Sequence, residues 1–159
     1  MRVGNTTGIR NLCAVAAHLL QTMAVNAATK FAVRTVIREA INKSCPEYKG
    51  NSNRRNVRYI SSNARRAIDS NEPRLIADHA LPVSLALTDI YAQNLNTVDE
   101  LVALVARFST MVLITEREDN QLREAGLVKS MPANWDGIDH LARYSHVGIE
   151  VSENARTEA

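Results

Sequence analysis

The sequence predicts a predominantly helical α+β domain, and three observations carry that prediction. Apolar residues recur at helical spacing through most of positions 8–43 and again through 83–108. Two short apolar runs, 74–79 and 110–114, have the length and bounds of strands rather than helices. With 159 residues, 45% of them apolar, the chain can bury a core without disulfide or metal staples. A single domain is expected, with an N-terminal helical part over 1–45, a core over 54–126, and a C-terminal loop, short helix and tail over 127–159.

Residues 8–25 put Ile9, Leu12, Val15 with Ala16, Leu19 and Met23 at helical spacing, with Thr6 or Thr7 as the expected cap. His18 falls on or near that stripe, where a hydrogen-bonded core histidine is expected. The pattern returns over 28–43 with Phe31, Val33, Val36, Ile37, Ala40 and Ile41, and Asn26 either separates two helices or sits inside one long one. This part reads as scaffold or as the surface of a homodimer. Cys45-Pro46 ends the helical run, because proline disfavours helix in the residue before it. Residues 46–56, with Gly50 and several Asn and Ser, read as a loop. The stretch from Arg54 to Arg66 is the most basic in the chain, and Ser61 or Ser62 can cap a short helix ending near Ser70.

After Asn71-Glu72-Pro73, residues 74–79 form a strand that ends on Asp78-His79, with Pro82 three residues beyond. Residues 83–93 have helical periodicity. Thr97-x-x-Glu100 is a capping box that opens a helix carrying Leu101, Leu104, Val105 and Phe108. Thr110 to Ile114 is a buried strand, and Thr115-x-x-Glu118 is a second capping box. It puts Asn120 in the second turn of a helix that Gly126 stops. Met131 to Gly137 is loop-like, anchored by Trp135, and 138–144 form a short helix. Asp139-His140 is a second Asp-His pair without the preceding strand, and His140 and His146 are poorly spaced for one helix face.

Composition narrows the class. Cys13 and Cys45 match no zinc spacing and read as reduced thiols of a cytoplasmic protein. No apolar run reaches the length of a membrane span. Leu12 to Val25 imitates a secretory signal, but His18 and Gln21 interrupt it, so it reads as a buried helix. The net charge of +2 is uneven: residues 1–75 hold 13 Lys/Arg against 4 Asp/Glu, and 76–159 hold 6 against 13. A +9 half joined to a −7 half suits an enzyme acting on a polyanion, or else a protein whose halves pack on each other. No repeat, Gly-rich phosphate loop or nucleophile elbow is present.

The chemistry concentrates at the end of the first strand. Adjacent Asp78 and His79 point to opposite faces of a strand, so they share a site only where the strand ends and twists. A divalent ion held by Asp78 and Asn120, with His79 activating a water, would suit hydrolysis of a phosphodiester. Asp78-His79-x-x-Pro82 together with Leu113-Ile114-Thr115-x-x-x-x-Asn120 resembles the HNH (ββα-metal) nucleases, over roughly a third of the chain. The likeness is to the HNH domain of RNA-guided DNA-cutting enzymes, whose spacing from strand Thr to helix Asn is the same. The resemblance implies an embedded ββα-metal core, with His79 as general base and Asp78 and Asn120 as ligands of Mg²⁺ or Mn²⁺. The implied substrate is DNA, with RNA as second candidate. Glu116 and Asp119 are reserve ligands if the helix register shifts.

Arg54, Arg55, Arg58, Arg65 and Arg66 are candidate phosphate contacts or, equally, a solvated face. The competing reading of the motif makes His79 a hydrogen-bonded strand-end residue, Asp78 a turn former and Asn120 a solvated helix position. Two other functions then compete with a metal-dependent endonuclease. One is a non-catalytic nucleic-acid-binding regulator that keeps a nuclease-like shape. The other is a small protein–protein inhibitor whose acidic half mimics nucleic acid.

Overall fold

The structure, a computed structural model, describes residues 6–45, 57–70 and 74–154. Arg54 and Arg55, the loop expected over 46–56, the Asn71-Glu72-Pro73 turn and residues 155–159 lie outside the described residues. The elements run α1 (Thr6–Thr22), α2 (Ala27–Ser44), β1 (Tyr59–Ser61), α3 (Ser62–Asp69), β2 (Leu75–His79) and α4 (Val83–Ala92). They continue with α5 (Val98–Arg107), β3 (Met111–Thr115), α6 (Glu116–Glu124), α7 (Ala142–His146) and β4 (Val151–Glu153). The fold is α+β and mostly helical, with a small mixed sheet of four strands. No helix among the described residues is long and apolar enough to cross a membrane.

Contacts gather the chain into two compact units, Met1–Pro46 with Val83–Ser109 and Glu47–Pro82 with Thr110–Ala159. The first is all helical. Ile9, Cys13, Ala16 and Ala17 of α1 are buried, and so are Val33, Ile37, Ala40 and Ile41 of α2. Small side chains on α1 let the two backbones come close, and this pair packs more extensively than any other in the unit. Asn26 separates the helices, because its side chain accepts from the Thr29 amide at 2.9 Å and caps α2. Helix α1 starts at Thr6 itself, and His18 is exposed rather than in the core. The 83–109 segment joins these helices, although the sequence placed it inside the strand-bearing core. Helix α4 ends through Asn94 at φ 53, a left-handed position that Asn tolerates. Helix α5 opens on the Thr97/Glu100 capping box and buries Leu101, Leu104 and Val105.

The second unit is built on the sheet, in the order β2-β3-β1-β4. β2 pairs antiparallel with β3, Leu75 opposite Thr115 and His79 opposite Met111. β1 runs parallel to β3, and β4 pairs antiparallel with β1. β3 is apolar and buried from Met111 to Ile114, because it has a strand on either side and is covered on both faces. Val112 and Ile114 share a buried cluster with Leu122, Leu127, Tyr144 and Ile149, while Leu113 is buried on the opposite face. Helix α6 follows β3 with no intervening loop, through the Thr115/Glu118 capping box. It stops at Gly126, whose φ of 72 lets the Leu127 amide reach back to the Leu122 carbonyl at 2.8 Å. Helix α7 stops in the same way: Gly148 has φ 75, and the Ile149 amide bonds the Tyr144 carbonyl at 2.9 Å.

Candidate functional site

Strand alternation sorts the two motif residues at the end of β2. Asp78 is paired with Val112 and lies on the face of the Val112/Ile114 cluster; His79 is paired with Met111 and lies on the other. On the Asp78 face, α7 delivers Arg143 and Tyr144, which are 1% and 0% exposed. Arg143 donates from Nη2 to Oδ2 of Asp78, to the His79 carbonyl and, at 3.1 Å, to the Tyr144 hydroxyl. Its Nη1 donates to the Leu127 carbonyl at 2.9 Å, and the Tyr144 hydroxyl donates to Oδ2 of Asp78 at 2.7 Å. The Schellman ends of α6 and α7 therefore do more than terminate helices. The first presents the Leu127 carbonyl to Arg143, and the second pins Tyr144 by its own carbonyl.

Charge states follow from these contacts. Burial pushes the Asp78 carboxyl above its ordinary range, against the opposing pull of Arg143 and Tyr144. Burial also opposes the charge of Arg143, but Tyr144 and Asp78 outweigh it and raise the guanidinium further. The two directions pull the pair apart, and the guanidinium charge is the firmer feature, since arginine does not give up its proton. Burial first, and Asp78 second, raise the Tyr144 phenol well above its usual value, so it stays an O–H donor. Asp119 adds its charge to both Asp78 and Arg143 and is the α6 side chain electrostatically tied to this cluster. Asn120, the next residue, is exposed.

A second buried network lies where β1 and α3 meet β3 and α6. Glu118 is 1% exposed, and its carboxylate accepts from Ser61 Oγ at 2.7 Å, Asn63 Nδ2 at 2.9 Å, and the Thr115 amide and hydroxyl at 2.9 and 3.0 Å. Ser61 in turn caps α3 by accepting from the Ala64 amide at 3.0 Å. A buried carboxylate with that many donors needs no counter-ion to stay satisfied.

The structure thus brings Asp78 and Asp119 into one electrostatic neighbourhood and adds Arg143 and Tyr144 to it. Register sends the His79 side chain to the other face of β2. As the side chains lie, the donor set implied for Mg²⁺ does not fit an ion. Oδ2 of Asp78 is already shared by a guanidinium and a phenol, and among the described residues no three His, Cys, Asp or Glu side chains converge. The candidate phosphate contacts also divide. Arg58 pairs with Glu153 at 3.3 Å, and Arg65 bonds the Ser152 hydroxyl and the Glu153 carbonyl. Arg66 bonds only Asn63 Oδ1, at 2.6 Å, among the described residues. Compared with protein-family profiles, with curated proteins and with solved structures, the chain has no match. Arg143 and Tyr144 escaped the sequence reading because they stand in a weakly patterned segment, and nothing local marks that arginine as buried.

Proposed function

We propose that the chain binds nucleic acid through β2, β3 and α6 without cutting it, its motif acid turned to structural use. The observation that carries this reading is the double claim on Oδ2 of Asp78 by Arg143 and Tyr144, both fully buried. An incoming cation would have to displace a built-in one and leave a guanidinium uncompensated in the interior, which is costly. The nucleic-acid side of the reading is supported by the order of elements. A strand ending in Asp78-His79 pairs antiparallel with a strand that runs straight into a helix, as the resemblance to ββα nucleases implies.

A second reading, an endonuclease using Mg²⁺ or Mn²⁺ with His79 as general base, is favoured by the negative charge that Asp119 adds at Asp78. Two carboxylates are ordinary protein ligands for Mg²⁺ when water and a substrate phosphate supply the rest. The two readings separate when the full chain is mixed with labelled duplex DNA, single-stranded DNA and RNA in Mg²⁺, in Mn²⁺ and in excess chelator. The expected result is binding that chelator leaves unchanged and no strand scission. Metal-dependent nicking that falls about 10²–10⁴-fold in His79→Ala would overturn the first reading in favour of the second. Failure to bind any of the three nucleic acids would sink both.

A further inference from the structure

A cleft of about 290 Å³ opens between α3 and the start of α6, lined by Asn63, Arg66, Ala67, Ser70, Thr115 and Arg117. We propose that it is a binding site for a phosphate group. Its size falls just below that of drug-sized-ligand pockets, roughly 300–1,000 Å³, as suits a small anion. Its lining carries two guanidiniums and no carboxylate, while the Thr115 hydroxyl and Asn63 Nδ2 already donate to Glu118 and the Ser70 hydroxyl to the Arg66 carbonyl.

The neighbouring acids face elsewhere. Glu116 pairs with Arg74 at 3.0 Å, and Glu118 is buried in its own network. Among the described residues, neither Arg66 nor Arg117 forms an ion pair. The wall is also preset. Buried Glu118 fixes Asn63 through its Nδ2 at 2.9 Å, and Asn63 Oδ1 fixes Arg66 at 2.6 Å. That ordering removes side-chain entropy that binding would otherwise have to overcome.

This is not the Asp78 cluster under another name. Thr115 stands opposite Leu75 and Asp78 opposite Val112, so the two sites are three residues apart along the β2–β3 ladder, roughly 10 Å. The shared chemistry is a tetrahedral phosphate oxyanion, whether a free phosphate or a diester of a nucleic-acid backbone. The inference stands on the cleft itself, and rests on the reading above only where that phosphate belongs to nucleic acid.

The test uses the full chain, isotopically labelled for NMR, titrated with inorganic phosphate and separately with a dinucleoside monophosphate. Saturable shifts are expected at the Arg66 and Arg117 side-chain N–H groups and the Asn63 amide with at least one probe. Arg117→Ala should weaken binding about tenfold or more, the value of one charge-assisted contact. Arg66→Gln should do the same while keeping a donor for Asn63. Saturation by the dinucleotide assigns the site to a backbone diester; saturation by phosphate alone assigns it to a small anion. Shifts that never saturate, that map elsewhere, or that survive both substitutions would overturn the proposal. Loss of nucleic-acid binding with phosphate binding intact would remove the reading above and leave the cleft standing.

Discussion

Asp78 is held from one side by a buried guanidinium, and that arrangement makes a quantitative claim about stability. Removing either partner of a buried ion pair leaves the other uncompensated, which typically costs roughly 3–5 kcal/mol. Asp78→Asn and Arg143→Met should each destabilise by that order in urea unfolding. Together they should cost less than the sum of the two, because residues that share a hydrogen bond couple. A metal-ligand carboxylate with no structural partner behaves oppositely. Its replacement by Asn relieves charge repulsion in the metal-free protein and leaves stability level or improved. A double-mutant cycle with no coupling would therefore detach Asp78 from Arg143 and reopen the ligand role. Asp78 was legible in the sequence as a residue with a task, from its place at the end of an apolar run. Which task was not legible, because the deciding partners lie 65 and 66 positions later and reach it only through the fold.

Elements were legible where their signals are local. Both capping boxes, Thr97/Glu100 and Thr115/Glu118, form as the spacing demands, and β2, α4, α5, β3 and α6 fall within two residues of their expected bounds. β1 and β4 were not read, since each has three residues and exists only through pairing with distant partners. Phe31 and Val15 fit the helical period yet are 70% and 50% exposed, because periodicity marks a face without saying what covers it. Glu118 shows how one local signal can hide a second use, since the same carboxylate closes a cap and anchors Ser61 and Asn63. The stop of α6 carries its own prediction. A Cβ at Gly126 would meet nothing within 4 Å, so Gly126→Ala isolates the cost of the left-handed backbone, roughly 1–2 kcal/mol. The urea midpoint should fall with the slope of the transition unchanged. No change in midpoint would mean that the Leu127 carbonyl reaches Arg143 without the Schellman turn.

At the scale of the whole molecule, the charge split between sequence halves dissolves. The helical unit carries 7 Lys/Arg against 4 Asp/Glu, and the sheet-bearing unit 12 against 13, giving +3 and −1. Within the second unit, arginines of the first half of the sequence pair with acids of the second, as Arg58 with Glu153 and Arg74 with Glu116. Part of the polarity in the sequence is thus met by internal ion pairs. This fixes how binding should respond to salt. Each phosphate contact on a duplex contributes about −0.9 to the slope of log affinity against log salt. If Arg66 and Arg117 are the cations available in the second unit, the slope for duplex DNA should be near −2. Arg66→Ala and Arg117→Ala should each flatten it by about one contact, while Arg58→Ala should leave it alone. Lys49, Arg54, Arg55 and Arg156 of this unit lie outside the described residues and form the remaining candidates. A slope of about −4 that drops when Arg54 and Arg55 become alanine would add those two to the contact surface. Flattening of the slope by Arg58→Ala would mean that the Arg58–Glu153 pair opens on binding, and the account of its charge as already spent would fall.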